Sequence, residues 1–561
     1  MPSHRQHSPN QARDDASSCF CPFLILSAPL TKHRSEMAGR EEMEQLAAEI
    51  EAIRAANGTP SNDLIARLTM LHSQELEFIH FNNDSFFLVT MGCVIFLMQA
   101  GFAFLEAGSV RSKNTTNILI KNLLDSCIAA ICYWLVGYGF AYGEDAGSFI
   151  GVSKFALAWV DSSEYPFWFF QFTFAATAAT IVSGALAERC EFIAYFLYSI
   201  ALAGIIYPII THWTWDANGW LAQLGYKDFA GSGVVHLHGG TCALIGAIIL
   251  GARIGRFKNH PLRPVQPILG HSVPFAALGG FILMFGFFAF NGGSQASITS
   301  VGDGSLVAKA MINTMISGSF SALVALAITR FSGLWSFLKP INGVLAGMVA
   351  ACAGCNAMEP WASVVVGVGA GLSYLLVSRL IVLAKVDDPV DAVAVHAGGG
   401  LWGLFITPIM MNDGIIFLGH TTAPWKVFGA NMLGAVAIIL FSLITIGGLF
   451  LILRVIKLFR VDPEVEVKGL DIKKHGEPAY PLAAYGHGWG HAAEDGSVGN
   501  GGGGGKGGSP GMVPGPGLAA AEGGMPMQPM GASVHPAAYY GGTFFYPGAA
   551  GRYRSASYAY H

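Results

Sequence analysis

The sequence predicts an all-α polytopic membrane protein, and its composition together with the spacing of its apolar segments supports this fold class. Of the 561 residues, 52% are hydrophobic and only 12% are charged, against roughly 25% charged residues in soluble globular proteins. A surface with so few charges cannot face water over most of its area. The net charge of −4 argues against a nucleic-acid partner, because nucleic-acid-binding surfaces are basic.

Apolar segments of about 17–25 residues follow one another with short breaks, and each is long enough to cross a bilayer as a helix. We predict about eleven membrane spans, near 85–106, 116–141, 165–187, 192–211, 232–252, 270–290, 305–329, 340–357, 361–381, 391–411 and 425–453. Glycine and alanine recur throughout these segments, which allows membrane helices to approach one another closely.

Basic residues concentrate in alternate loops, and this distribution predicts the orientation in the membrane. Those in the basic loops are Arg111, Lys113, Arg189, Arg253, Arg256, Lys258, Arg263, Arg330, Lys339, Arg379 and Lys385, with Arg454, Lys457 and Arg460 after the last span. Because loops rich in Lys and Arg stay cytoplasmic, the N-terminus is predicted outside and the C-terminus inside. Asn57 and Asn83 then stand in acceptor sequences for N-glycosylation on the outer side.

The chain divides into four predicted regions. Residues 1–84 form an extracellular, partly disordered extension that contains a charged amphipathic helix at 41–56, and residues 85–455 form the transmembrane domain. Residues 456–482 form a cytoplasmic C-terminal regulatory segment. Residues 483–561 are rich in Gly, Pro and Tyr, a composition that predicts disorder.

Two segments resemble each other in register and predict an inverted five-plus-five repeat. Asp228 precedes His236 by eight residues, Asp388 precedes His396 by eight, and glycines follow each histidine at three and four positions. The segments open the fifth and tenth spans, which enter from opposite sides, and inverted repeats place their functional centre near the bilayer midplane. Eight helical residues advance about 12 Å, so the two imidazoles are predicted to meet near the centre of a hydrocarbon core of about 30 Å.

Each polar residue of this repeat has a structural alternative. An intramembrane histidine can serve as an interhelical hydrogen-bonding group, which is the preferred interpretation for His238, whereas paired histidines at this depth usually face a pathway. Asp388 is predicted to cap a helix, with Pro389 at the first helical position. Asp228 could equally cap its helix or support a cation electrostatically.

The cysteines indicate packing rather than chemistry. Cys352 and Cys355 form a C-x-x-C pair within an apolar run, with no second pair to complete a zinc or redox site. Buried thiols in such runs behave as small hydrophobic groups. We therefore predict no metal and no other cofactor.

Several motifs resemble the ammonium transporter (Amt/Mep/Rh) family, specifically its plant and algal type-1 branch. The segments that carry the resemblance are 228–240, 99–114, 184–189, 290–294, 387–391 and 469–476. The resemblance covers about residues 85–482. It implies the ammonium transporter fold, a homotrimer with one pore per subunit, a C-terminal segment that contacts the neighbouring subunit, and a surround of membrane lipid, with the plasma membrane as the expected location.

The resemblance also assigns roles to residues of this chain. Trp215 and Ser294 match an outer recruitment site with Asp228 close by, Phe174 and Phe290 match a stacked gate with Phe170 as neighbour, and His236 and His396 match a twin-histidine pore. This implies a high-affinity transporter that recruits NH4+, deprotonates it at the gate and conducts NH3 plus a proton, with methylammonium as an analogue. Plant relatives carry a regulatory threonine where this chain has Lys473, so that phosphorylation switch is not expected here.

Three other functions are weighed against this one. A Rh-like channel for neutral ammonia or carbon dioxide would need no cation site, so Trp215 and Ser294 disfavour it. An ammonium sensor would signal through the C-terminal tail. A membrane enzyme with histidine metal ligands would need a third ligand and carboxylates within the spans, and we expect neither.

Overall fold

The computed structural model describes residues 28–257, 268–331, 333 and 335–481, with side chains described from residue 42 onward. The predicted disordered tail, 483–561, lies outside the described residues, as do the first 27 residues of the N-terminal extension.

The described chain is almost entirely helical. Its α-helices are α1 (Ala28–Ala55), α2 (Asn62–Phe96), α3 (Met98–Ser109), α4 (Thr115–Cys132), α5 (Tyr138–Tyr142), α6 (Tyr165–Leu186), α7 (Phe192–Ala201), α8 (Tyr207–Trp215), α9 (Trp220–Gln223), α10 (His238–Leu250), α11 (Val273–Gly293), α12 (Asp303–Phe331), α13 (Leu338–Ala351), α14 (Pro360–Leu383), α15 (Gly399–Met410), α16 (Ile415–Leu418), α17 (Ala423–Val455) and α18 (Pro463–Lys468). Short 3₁₀ turns occupy Ser112–Asn114, Phe155–Leu157 and Ser162–Glu164.

Five π-helical turns and one small sheet complete the described secondary structure. The π-helical turns are Tyr133–Gly137, Leu202–Ile206, Ser232–Leu237, Val393–Gly398 and Asp471–His475. Strands β1 (Asp145–Ala146) and β2 (Ile150–Gly151) pair antiparallel, with Asp145 opposite Gly151. We call Ser232–Leu237 the His236 segment and Val393–Gly398 the His396 segment, because each π-helical turn carries one histidine of the repeat.

The predicted all-α polytopic fold is confirmed. Within the described residues, ten helical segments are long and apolar enough to cross a membrane, and the shorter apolar helix α13 makes an eleventh. Several of the ten join consecutive helices, such as α2 with α3 and the His236 segment with α10. The predicted count of eleven is therefore reached only when α13 is included.

Helix α13 is shorter than predicted, because its span was expected to reach residue 357 and the helix ends at Ala351. The carbonyl oxygens of Cys352 and Ala353 accept hydrogen bonds from the backbone N–H groups of Ala230, at 2.8 Å, and Phe229, at 3.0 Å. These carbonyls therefore pair with the loop before the His236 segment instead of continuing the helical ladder. Non-helical backbone at membrane depth is tolerated where it is buried in protein in this way.

The N-terminal part is more helical than predicted. The expected helix at 41–56 corresponds to the C-terminal half of the longer α1, which ends at Ala55. Helix α2 begins at Asn62, and the Ser61 hydroxyl accepts from Leu64 N at 3.2 Å. The predicted domain boundary at residue 84 therefore falls inside one continuous helix. Asn57 and Asn83 are both exposed, and their glycosylation stays a prediction.

Candidate functional site

The two repeat histidines lie in direct contact at the core of the transmembrane domain. His236 Nδ1 and His396 Nδ1 are 3.1 Å apart, and the rings stack with an interplanar angle of 17° and centroids 5.2 Å apart. His236 is fully buried, and His396 is 5% exposed. Because a neutral imidazole offers one donor and one acceptor nitrogen, the two Nδ1 atoms can share one proton in a hydrogen bond.

The aspartates of the repeat hold the two histidine segments in the same way. The Asp228 carboxylate accepts from the backbone N–H groups of Gly233, at 2.8 Å, Val234 and Gly231, at 3.1 Å each. The Asp388 carboxylate accepts from Val393 at 2.8 Å, again five residues onward, and from Val390 at 3.2 Å.

Both aspartates are therefore helix caps, which satisfy backbone donors that have no partner within the helix. The prediction for Pro389 was wrong, because this residue lies in the turn before the helix, which begins at Ala392. The carboxylate of Asp388 bonds to Val390 within that turn and reaches past it to the N–H of Val393 in the first turn of the helix.

Glycines of the repeat bring the two halves together. A Cβ built on Gly240, four residues after His236, would lie 2.8 Å from the Cβ of Ala397. A Cβ on Gly400, four residues after His396, would lie 2.9 Å from the backbone nitrogen of Leu237. Each glycine thus packs against the residue next to the opposite histidine, and this close approach is what allows the two rings to meet.

Aromatic rings lead from one face of the protein to the histidine pair. The Trp215 ring contacts the Phe174 ring edge-on, with centroids 5.8 Å apart. The Phe174 and Phe290 centroids are 4.2 Å apart, and the Phe290 and His236 centroids are 5.3 Å apart. Phe170 contacts Phe174 at 4.9 Å. Phe174 and Phe290 are 1% and 0% exposed, so the path between Trp215 and His236 is closed by phenyl rings.

The two residues matched to an outer site lie at the entrance to these rings. Trp215 is half-buried, and its indole N–H donates to the Asp228 carbonyl oxygen at 2.7 Å. Ser294 lies just after the end of α11, one turn beyond Phe290, and its hydroxyl donates to the Phe290 carbonyl oxygen at 2.7 Å. The Ser294 oxygen therefore keeps lone pairs that can accept a hydrogen bond.

A small cavity lies on the other side of the histidine pair. Its lining is mainly aliphatic, with Phe102 at one wall, and its polar members are His396, Asn342 and Glu106. The Phe102 ring lies 6.2 Å from the His396 ring. The cavity therefore borders His396, whereas the phenyl rings of the closed path contact His236.

The expectation that the spans carry no carboxylates was wrong. Glu106 in α3 and Asp125 in α4 are both buried. An oxygen of Glu106 accepts from Asn122 Nδ2 at 2.8 Å, and an oxygen of Asp125 lies 2.8 Å from the Thr180 hydroxyl. No group of three or more residues with metal-ligand side chains is found in the part of the chain that the structure describes.

Sequence reasoning missed three residues of the site: Phe102, Glu106 and Phe287. The Phe287 ring lies 5.6 Å from His236. The two phenylalanines are indistinguishable in sequence from ordinary core residues. Glu106 was visible, since a carboxylate at the end of an apolar span is itself a signal of function. His238 hydrogen-bonds to Ser442 at 2.8 Å, in keeping with its predicted structural role.

An ion-pair network lies in the loops on the side of the cavity. Arg253 Nε and Nη2 donate to the Asp387 carboxylate at 2.7 and 3.0 Å, and Arg253 Nη1 lies 3.2 Å from Glu188. Burial by itself would raise the pKa of Asp387, but the hydrogen bonds and charge of Arg253 bring that pKa down to about 2. The network therefore joins the loops after α6, α10 and α14 through a charged, fully ionised carboxylate.

The C-terminal segment contacts the 3₁₀ turn before α4, the start of α4 and the residue before α7 in its own chain. Asp471 accepts from the Asn117 backbone N–H at 2.8 Å, at the start of α4, and Leu470 N donates to Asn114 Oδ1 at 2.9 Å. Lys474 donates to Glu191 at 2.8 Å. Lys473 is exposed. The predicted contact with a neighbouring subunit involves a second copy of the chain and stays a prediction.

The fold and this site define a helical membrane transport protein. Its histidine pair lies between a path closed by phenyl rings and a small cavity. The chain belongs to the ammonium transporter family, whose pattern matches residues 85–480. Members of this family are transporters and not enzymes, so the chain is an ammonium transporter by class.

Similar proteins agree with this assignment. A Caenorhabditis elegans protein named "Putative ammonium transporter 1" is 52% identical over 77% of this chain and 85% of its own length. Tomato (Solanum lycopersicum) ammonium transporter 1 member 3 is 37% identical over 71% of this chain and 93% of its own.

Solved structures show the same fold. The structure titled "Sensor Amt Protein" has a TM-score of 0.67 and 34% identity, and the match covers 71% of this chain and 100% of that one. Candida albicans Mep2 has a TM-score of 0.62 and 26% identity, over 68% of this chain and 87% of that one.

Proposed function

We propose that the chain is a high-affinity ammonium transporter that separates NH4+ into NH3 and a proton and carries both through one pore. The observation that carries this proposal is the 3.1 Å contact between His236 Nδ1 and His396 Nδ1, between a closed aromatic path and an inner cavity. A hydrogen-bonded imidazole pair in a dry channel can pass a proton, whereas it offers little to an intact hydrated ion.

Trp215 and Ser294 would recruit the cation at the outer mouth. An indole face attracts a cation by about 0.5–2 kcal/mol, depending on desolvation, and the Ser294 oxygen can accept an N–H hydrogen bond. Asp228 supports this site by fixing the Trp215 ring through its carbonyl oxygen. The Asp228 carboxylate would add a favourable field for the cation, although it already accepts hydrogen bonds from three backbone N–H groups and from the Tyr226 hydroxyl at 3.3 Å.

Phe174 and Phe290 would form the gate, with Phe170 packed behind Phe174. The centroids of the two gate rings lie 4.2 Å apart with an interplanar angle of 32°, and both side chains are buried. An ion that loses its hydration shell in such a place pays a large desolvation cost, so ammonium can pass only by giving up a proton. Potassium, which has a similar radius, has no proton to give.

The proton would move along the histidines while ammonia follows the same path. In the state that accepts a proton, His236 Nδ1 carries the hydrogen and donates it to His396 Nδ1, which leaves His236 Nε2 free to accept. A proton that arrives on the free nitrogen of His236 allows the shared proton to shift onto His396, which can then release one toward the cavity. Imidazole suits this transfer because it can accept and donate through two nitrogens at once.

Voltage clamp of cells that express the full chain tests the proposal. Ammonium should produce a saturable inward current that follows its electrochemical gradient, methylammonium a smaller one, and potassium none. Uptake of methylammonium with no accompanying charge would instead support the Rh-like gas channel. A chain that reaches the surface and moves neither compound contradicts transport altogether.

A sensor role is a second candidate, favoured by the similarity to the structure titled "Sensor Amt Protein". Signalling would use parts beyond the pore. Removing residues 483–561 separates the two functions, because a transporter should then keep its ammonium current and a sensor should lose its downstream response.

The assembly and location also belong to this proposal. We expect a homotrimer in the plasma membrane with its N-terminus outside, residues 1–84 as the outer extension and 456–482 as a regulatory segment. Cross-linking of surface protein should give a three-chain product, and a tag after residue 482 should be inaccessible from outside. A single-chain product or an accessible C-terminal tag would contradict these expectations.

A further inference from the structure

Glu106 lies one helical turn beyond the ring that contacts His396. Phe102 and Glu106 are four residues apart on α3, a rise of about 6 Å, and therefore share one face of that helix. The Phe102 ring lies 6.2 Å from His396. Glu106 is thus further along the path than His396, on the side away from the Phe174 and Phe290 gate.

Glu106 and His396 line the same cavity. Apart from Asn342, the other lining residues are apolar, so these two side chains provide its titratable groups. The His396 ring uses Nδ1 toward His236, which leaves its Nε2 for the cavity. A buried carboxyl and the last imidazole of a proton path therefore face one enclosed space.

The hydrogen bonds of Glu106 hold it in place without neutralising it. One oxygen accepts from the Ser183 hydroxyl and the other from the Asn122 amide at 2.8 Å. Both donors are uncharged. Lys121 is in the same region of α4, but its ammonium donates to the Cys190 carbonyl oxygen at 2.9 Å, and the nearby Asp125 adds negative charge. A buried charge held only by neutral donors is costly, so this carboxylate gains from a proton or a cation in the cavity.

We propose that Glu106 is the inner proton-transfer residue of the pore, the group that recombines the proton with ammonia. The inference rests on the proposed function. Its carboxylate takes the proton that the His396 imidazolium releases, which returns His396 to the neutral form. The resulting carboxylic acid then gives that proton to ammonia in the cavity, forming ammonium and restoring the carboxylate. One ammonium leaves for each one that entered, so protons and charge balance.

The test compares the charge moved with the methylammonium taken up in Glu106→Gln, Glu106→Asp and the wild type. Glutamine keeps the shape and can bond to both Ser183 and Asn122, but it cannot carry a proton. The charge per methylammonium should fall about tenfold or more, because a positioned acid–base group typically contributes about 100-fold or more to a proton-transfer step. Glu106→Asp should recover most of it. The matched control is Asp125→Asn, a buried span carboxyl outside the cavity lining, which should keep the wild-type ratio.

An unchanged charge-to-uptake ratio in Glu106→Gln at normal surface expression overturns the inference while leaving the proposed function intact. A wild type that moves neither ammonium nor methylammonium overturns the proposed function instead. If Glu106→Gln does not reach the surface, infrared difference spectra of purified wild-type protein decide the matter. Ammonium should change a carboxylic acid C=O band that shifts in Glu106→Asp, and the lack of any such ammonium-dependent band contradicts the proposal.

Discussion

His236 and His396 share a single hydrogen bond through matching nitrogens, Nδ1 to Nδ1 at 3.1 Å. Two equal nitrogens at this distance can hold only one proton between them, so the pair has two tautomeric arrangements of the same geometry. His236 Nε2 is buried without a hydrogen-bond partner among the described residues. In the tautomer in which His236 Nδ1 carries the shared hydrogen, Nε2 of the same ring is therefore unprotonated and can accept a proton on the ring whose centroid lies 5.3 Å from that of Phe290.

Replacing either histidine by alanine should remove the proton path. In His236→Ala and His396→Ala we expect ammonium-dependent current to fall by about 100-fold or more, the usual effect of losing a positioned acid–base group. Voltage clamp at matched surface expression measures this. His238→Ala is the control, because His238 bonds to Ser442 away from the pair and its loss should spare the current. Wild-type current in both pore variants would refute the pore role.

Trp215→Leu should weaken capture of ammonium at the outer mouth. Loss of a cation–π contact worth about 0.5–2 kcal/mol predicts a half-saturation concentration about two- to thirtyfold higher. Current measured against ammonium concentration gives this value. Trp215→Phe keeps an aromatic face, and its half-saturation concentration should lie between those of the wild type and Trp215→Leu. An unchanged half-saturation in Trp215→Leu would count against recruitment by the indole.

Phe290→Ala should open the closed aromatic path. Removing this ring takes away the partner that lies 4.2 Å from Phe174, and water that enters would lower the cost of an intact ion. We expect a potassium current that the wild type lacks, measured in ammonium-free solution. The control is Phe172→Ala, since Phe172 lies on the same helix as Phe174 but packs on Phe96 and Trp168. Continued exclusion of potassium in Phe290→Ala contradicts the gate.

Gly240→Ala and Gly400→Ala should force the two histidine segments apart. A Cβ at either position would lie within 3.0 Å of the opposite segment, and overpacking of a close-packed site costs about 1–3 kcal/mol. Both variants should show a lower melting temperature in detergent and a lower ammonium current. Gly448→Ala in α17 meets nothing within 4 Å and should be neutral or stabilising. Wild-type melting of both repeat variants would argue against this close approach.

Asp387→Asn should destabilise the loop network at neutral pH. Since Arg253 holds the pKa of Asp387 at about 2, below the ordinary 3.8, the carboxylate stabilises the fold at all pH values above about 4 and this contribution is lost as the pH falls through about 2. Breaking a buried ion pair costs about 3–5 kcal/mol.

Melting in detergent at pH 5–8 should show a lowered melting temperature for Asp387→Asn that does not vary with pH across this range. Glu464→Gln is the control, because Glu464 forms an exposed pair with Lys468, and such pairs contribute little. A deficit for Asp387→Asn that disappears toward pH 8 would contradict the assignment.

The sequence by itself predicted the all-α polytopic fold and the meeting of His236 with His396. The fold follows from the length of the apolar segments, because such a segment forms a helix in lipid, where its backbone groups must bond to one another. The meeting of the histidines follows from the Asp–His–Gly spacing, which recurs in two spans of opposite direction. The same spacing predicted Asp388 as a cap and left Asp228 equally a cap or a support for a cation, and it marked the glycines that the structure places in close contact. The roles of the outer-site and gate residues came from resemblance alone.

Only the tertiary structure decided where α13 ends and which side chains face the histidines. Helix α13 stops at Ala351 because the loop carrying Ala230 takes its next carbonyl oxygens, a contact between residues about 120 positions apart. Glu106 lines the cavity next to His396 because the face of α3 that carries Phe102 and Glu106 is directed toward that cavity. Hydropathy measures how apolar a segment is, but the direction of one side chain depends on which helices pack around it, and that is set by the whole fold.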